Sequence, residues 1–142
     1  MCGRFAFYTP AEAAAQLFGA AAGDEMAPRY NIAPTQQAPV VRRHADGGRR
    51  LETLRWGLIP FWARDPGIGN RMINARAETV AGKPAFRRAF RKQRCLILAD
   101  GFYEWRKEPG SKVKTPMYIQ MASVRRSAHV LRQASVVLST SL

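Results

Sequence analysis

The stretch Arg94-Cys95-Leu96-Ile97-Leu98-Ala99-Asp100-Gly101-Phe102-Tyr103-Glu104-Trp105 decides the fold. Arg94 to Ala99 is a short apolar run and reads as a buried strand. Phe102 to Lys107 reads as its hairpin partner. Side chains alternate along a strand, so Phe102, Glu104 and Arg106 share one face while Tyr103 and Trp105 share the other. Working towards the C-terminus, Lys112 and Lys114 mark a second turn and Pro116 to Met121 a further strand. Towards the N-terminus, Pro84 to Lys92 reads as a short basic helix. Ala38 to Arg43 and Leu51 to Trp56 read as two strands joined by Asp46-Gly47-Gly48, a good hairpin signal. Pro28 to Pro39 and Gly57 to Asn70 read as irregular loops. Gly3 to Tyr8 is apolar and aromatic, as in a strand. Thr9-Pro10-Ala11-Glu12 then starts a helix, with Thr9 as cap and Glu12 closing a capping box. Leu17 and Phe18 are expected to face the core, and Gly19 and Gly23 to end the helix. The class is α+β, dominated by antiparallel strands.

The chain of 142 residues suits one domain, and its 46% hydrophobic content suits a globular one. No apolar run of about 18 residues occurs, and Met1-Cys2-Gly3-Arg4-Phe5 lacks the pattern of a signal peptide, so a cytoplasmic protein without a membrane segment is expected. The formal net charge is +13, and the sequence holds 18 arginines against 5 lysines. The arginine fork suits phosphates and stacks on bases. A polyanion, nucleic acid above all, is the natural partner; a basic surface kept for solubility is the alternative. The two cysteines, Cys2 and Cys95, make no disulfide framework. Neither zinc-ligand spacing nor a Walker or GxGxxG loop is present, so no metal and no cofactor are expected.

Several residues could carry chemistry. Removal of the initiator methionine would leave Cys2 with a free α-amine beside its thiol. Their reference pKa values lie near about 8 and about 8.5, so both are partly nucleophilic at neutral pH. Such a pair condenses with an aldehyde, and the second step is intramolecular. A cysteine at this position could equally be accidental. Glu104, flanked by aromatics, could act as a general acid or base, or could be a surface carboxylate paired with an arginine. Asn74, Arg76 and Glu78 alternate, so on a strand they would share a face fit for a sugar-phosphate, or simply for water. Trp56, Phe61 and Trp62 on a Gly/Pro loop could stack on unpaired bases or pack in the core. Cys95, within an apolar run, reads as a buried structural residue.

Met1-Cys2-Gly3-Arg4-Phe5, Arg29-Tyr30-Asn31-Ile32-Ala33-Pro34-Thr35, Trp56-Gly57-Leu58-Ile59-Pro60-Phe61-Trp62, Asn74-Ala75-Arg76-Ala77-Glu78-Thr79 and the opening stretch occur in this order. Together they resemble the SRAP (SOS-response-associated peptidase) family of abasic-site processing proteins. The resemblance implies an α+β fold around a β-barrel-like core. It implies single-stranded DNA carrying an abasic site as partner, a monomer, and association with the nucleoid when DNA is bound. It implies Cys2 as the residue that crosslinks to the ring-opened sugar aldehyde, with Asn74 orienting the sugar or the amine and Glu104 shuttling protons. Arg4 and Arg76 match positions that hold phosphates, and Trp56 and Trp62 lie in the loop the family uses near DNA. A non-catalytic single-stranded DNA binder, an inactive fragment and an N-terminal-cysteine peptidase are the competing readings.

Beyond Met121 the sequence departs from the family. Ala122 to Leu142 holds no acidic or aromatic residue, and the family's His-x-Arg-Met-Pro motif is not found. His129 does not match that motif's histidine. Residues 1–121 are therefore read as a partial domain and 122–142 as a divergent basic tail, a truncated or frameshifted end. Such a chain is expected to expose apolar edges and to be less stable than a full-length relative.

Overall fold

The computed structural model of the chain describes residues 3–23 and 25–121. Cys2 and the expected tail, 122–142, lie outside the described residues. The described strands form two sheets, both antiparallel. In the larger sheet, β1 (Phe5–Phe7) is flanked by β2 (Arg29–Ile32) and β6 (Gly101–Lys107), with β7 (Lys114–Gln120) outermost. In the smaller, β3 (Gln37–Arg43) lies between β4 (Arg49–Arg55) and β5 (Cys95–Ile97). The α+β, antiparallel-rich class is as expected. The strands that the sequence gives pair as two sheets and do not close into one barrel among the described residues.

The decisive stretch does something other than form a hairpin. β5 pairs with β3 and β6 pairs with β1, so the chain changes sheets between them. The crossing is pinned on both sides: Leu98 N–H donates to the Pro39 carbonyl at 3.0 Å and Asp100 N–H to the Ala6 carbonyl at 2.8 Å. Leu98, Ala99 and Asp100 are all buried at this junction. The hairpin partner of β6 is β7 instead, in register from Gly101–Gln120 to Lys107–Lys114.

Between the sheets lies the main core, built on Phe5, Phe7, Ile32, Ala38, Val41, Leu51, Trp56 and Leu98. Helix α1 (Ala11–Phe18) packs on it through Ala11, Ala14 and Ala15, spaced to share one helical face. Small side chains let the helix sit close, and Leu17 points away to solvent while Phe18 packs against the core. The expected capping box does not form: Pro10 occupies the cap, and the Thr9 hydroxyl bonds Asp100 instead. Gly19 ends the helix in the left-handed conformation.

The β3–β4 hairpin turns as its sequence dictates. Gly48 N–H donates to the Asp46 carboxylate at 2.8 Å, which Arg50 also pairs with at 2.7 Å. The Gly48 amide and then Arg50 hold the Asp46 carboxyl below its ordinary range. β2, read as loop in the sequence, is a strand because it lies against β1, with Ile32 opposite Phe5. Cys95, expected to be buried, is half-buried on the edge strand β5.

A second, smaller apolar cluster of Leu58, Val80, Phe86 and Ala89 holds α2 (Ala77–Val80) and α3 (Pro84–Lys92) to the long loop after β4. No described helix is long and apolar enough to cross a membrane.

Candidate functional site

The N-terminal segment that carries Cys2 enters β1 through Arg4. The Arg4 carbonyl accepts from Tyr103 N–H at 2.9 Å, and its guanidinium donates to the Asn31 side chain at 3.1 Å. Phe5 stands opposite Phe102, so β1 and β6 deliver Arg4 and the half-buried Glu104 to one end of the same strand pair. The neighbouring surface is aromatic. Tyr8 stacks on Tyr30 with ring centres 5.4 Å apart, and Tyr103 lies 5.0 Å from Tyr118 while its hydroxyl donates to the Tyr30 carbonyl at 2.9 Å. Burial, and then a hydrogen bond with Tyr8, push the Tyr118 hydroxyl above its ordinary pKa.

Asn74 and Arg76 lie elsewhere in the chain and line a cleft of about 380 Å³ with Thr79, Lys83 and Phe86. They are not on a strand, contrary to the alternating reading. Arg76 caps α2, its carbonyl accepting from Val80 N–H at 3.0 Å, and Glu78 lies in the first helical turn and is exposed. A carboxylate there complements the positive end of the helix dipole, a sufficient reason for its position. Lys83 was not singled out by the sequence. It reaches the cleft because it precedes Pro84, which starts α3 beside α2.

Trp56 ties these two regions together. Its ring packs against Phe5 at 5.4 Å between centres, and its indole N–H donates to the Ile73 carbonyl at 2.7 Å, directly before Asn74. Leu58 N–H donates to the Met72 carbonyl at 3.0 Å, adding a second clamp on the same segment. Trp56 is only 4% exposed, so the expectation that its ring meets DNA is corrected: it is a core residue that positions the segment holding Asn74. Its indole N–H is satisfied internally, as a buried tryptophan requires. Trp62 and Phe61, by contrast, are 49% and 61% exposed on the same loop.

The polar residues so assembled are Asn74, Arg76 and Lys83 around an open cleft, with the Glu104 carboxylate and the Arg4 guanidinium at the end of β1–β6. Such a set can hold phosphates and sugar hydroxyls through charged and neutral hydrogen bonds. Among the described residues, no group of three His, Cys, Asp or Glu side chains is arranged to hold a metal ion.

Comparison with known proteins agrees with the resemblance. The abasic site processing protein YoaM of Bacillus subtilis is 47% identical over 126 residues, covering 87% of this chain and 55% of that protein. The abasic site processing protein HMCES of Xenopus tropicalis is 34% identical over 113 residues, covering 72% of this chain and 33% of that one. The chain thus spans about half the length, or less, of the curated relatives it matches. Among solved structures, a protein from Bacteroides thetaiotaomicron superposes with a TM-score of 0.73 at 26% identity, covering 87% of this chain and 56% of that one. A phage-related protein from Bordetella bronchiseptica gives a TM-score of 0.68 at 31% identity, covering 91% and 64%. The family described as SOS response associated peptidase (SRAP) matches residues 1–138, and the chain belongs to that family.

Proposed function

We propose that this chain processes abasic sites in DNA, binding the single strand at the cleft and bonding covalently to the lesion through Cys2. What carries the reading is the cleft itself. It gathers Asn74, Arg76 and Lys83 in a chain whose relatives are named abasic site processing proteins. An abasic deoxyribose opens to an aldehyde. With Met1 removed, the α-amine of Cys2 attacks the aldehyde carbon and the adduct loses water to give an imine. The Cys2 sulfur then adds to the imine carbon, and the thiol proton passes to the nitrogen. The five-membered thiazolidine that closes keeps every other atom, and one water is the net product. Holding amine and thiol on one residue raises the effective concentration of the second nucleophile.

Arg4 and Arg76 would hold phosphates on either side of the lesion, and Asn74 would orient the sugar. Glu104 would protonate the departing hydroxyl, recover a proton from the nitrogen as the imine forms, and relay the thiol proton to the ring nitrogen. These roles need no metal or cofactor. The protein would act in DNA damage tolerance in the cytoplasm, as a monomer. A second reading, non-covalent single-strand binding, is favoured by the basic surface of α3, which needs no Cys2.

The test is a denaturing gel of the protein, with its N-terminus verified, after incubation with a single-stranded oligonucleotide carrying one abasic site. A denaturation-resistant band, lost in Cys2→Ala, is expected. Salt-sensitive binding with no such band would leave the binder reading standing alone. A band that persists in Cys2→Ala would move the chemistry to another nucleophile.

A further inference from the structure

The sequence from Lys83 to Arg94 holds six cations and no carboxylate. Its helix, α3, buries Phe86 and Ala89 and turns Arg87, Arg88, Arg91 and Lys92 to solvent. The ion pairs among the described residues lie elsewhere: Arg42 and His44 with Glu52, and Arg50 with Asp46, on the β3–β4 hairpin, and Arg106 with Glu108 beyond β6. Among the described residues the hairpin's two carboxylates each hold an arginine, whereas none of the α3 cations forms an ion pair, at a cost in self-repulsion along the helix.

Two contacts fix where this helix points. At its N-terminal end, Lys83 and Phe86 line the cleft that holds Asn74 and Arg76. On its flank, the Arg88 guanidinium sits 4.5 Å from the centre of the Phe61 ring, which is itself 61% exposed. Leu58 packs with Phe86 and Ala89, and Ile59 and Pro60 line a small pocket with Ala85 and Ala89, so the loop bearing Phe61 and Trp62 lies beside α3. Cations in a row beside exposed aromatic rings are the recognition chemistry of a single nucleic-acid strand: phosphates track the charges and bases stack on the rings.

We propose that α3 is a docking track for the single strand flanking the lesion, with Arg87 and Arg91 holding successive phosphates and the Phe61–Arg88 pair receiving an unstacked base. Lys83 joins the track to the cleft. Arg87 and Arg91 are four residues apart, a rise of about 6 Å along the helix, so they sit on one side of it. The assignment rests on DNA being the substrate. It adds which side of the cleft the strand leaves by, and through which residues.

The test separates docking from chemistry by using an oligonucleotide with a tetrahydrofuran abasic analogue, which has no aldehyde and cannot crosslink. Fluorescence anisotropy across a salt series reads affinity and its salt slope. Arg87→Ala/Arg91→Ala is expected to bind about ten-fold more weakly, with the slope reduced by about 1.4, the release of counterions from two single-strand phosphate contacts. Lys112→Ala/Lys114→Ala removes the same charge from the start of β7 and the turn before it and is expected to leave both quantities unchanged. Equal losses in the two double variants, or none in the α3 variant, would overturn the track. With a true abasic site at limiting DNA, the α3 variant is expected to crosslink about ten-fold more slowly, and an unchanged rate would also overturn the assignment. If no crosslink forms even with wild-type protein, the Cys2 chemistry fails while the anisotropy result still judges the track.

Discussion

The carboxylate of Asp100 closes on both the backbone N–H and the hydroxyl of Thr9, at 2.8 and 2.5 Å. It accepts a third bond from Tyr8 N–H at 2.6 Å. Asp100 is 4% exposed and sits where the chain passes from one sheet to the other. The same residue therefore ends β1, starts α1 and turns β5 into β6. An Asp in place of an apolar residue is tolerated here because all of these donors point at it; a buried carboxylate without them would be costly.

Asp100→Ala should destabilise the protein by about 2 kcal/mol, since two part-buried backbone donors and the Thr9 hydroxyl lose a charged acceptor. Thr9→Val removes the hydroxyl alone and should cost about 1 kcal/mol. Urea unfolding midpoints measure both. Equal costs for the two variants would show that the backbone bonds to Asp100 contribute nothing beyond the hydroxyl.

Asp100 also marks the limit of what the sequence reveals. The β3–β4 hairpin is legible because Asp46-Gly47-Gly48 is a local signal, and α3 because Pro84 starts a run with clear helical spacing. The pairing of β5 is not legible: Arg94 to Ala99 reads as a strand, but its partner is Val40, Val41 and Arg42 of β3, far away in sequence. β2 hides for a related reason. Only Ile32 of its residues is fully buried, so Arg29-Tyr30-Asn31-Ile32 has no periodicity to read, and its pairing with β1 makes it a strand. At the site, Asn74 and Arg76 stand out through their motif, whereas Lys83 enters only because two helices pack together. The opposite fates of Trp56 and Trp62 could not be read at all, since an aromatic on a Gly/Pro loop suits core and surface equally.

Gly57 follows Trp56 with a φ of 141°. A side chain there would drive its first carbon into the Gly69 carbonyl. Both facts demand glycine, and both protect the clamp that Trp56 and Leu58 place on Met72 and Ile73. Gly57→Ala should therefore cost about 2 kcal/mol or more in stability. Gly82→Ala, where the added carbon would meet only the Thr79 carbonyl at 3.9 Å, should stay within about 0.5 kcal/mol of the parent. Thermal melts compare them, and a neutral Gly57→Ala would mean that the loop relaxes freely around residue 57. Because the clamp precedes Asn74, Gly57→Ala should also lower the crosslink yield at temperatures where the protein remains folded.

Glu104 stands opposite Met117 in the β6–β7 register, half-buried, one residue from the Tyr103 amide that binds the Arg4 carbonyl. The strand pair that brings Arg4 forward therefore brings Glu104 with it. Glutamine has nearly the same volume and can accept a hydrogen bond through its carbonyl, but it cannot give up or take a proton at neutral pH. If Glu104 moves protons in imine and ring formation, Glu104→Gln should slow crosslinking by about 100-fold at saturating DNA, within the range of general acid–base catalysis. Binding to the tetrahydrofuran analogue should change little, because no charge contacting a phosphate is lost. The two measurements distinguish proton transfer from positioning. A slowed reaction with intact binding and an unchanged melt supports proton transfer. A parallel loss of binding and stability would make Glu104 a structural residue, and an unchanged rate would remove it from the chemistry.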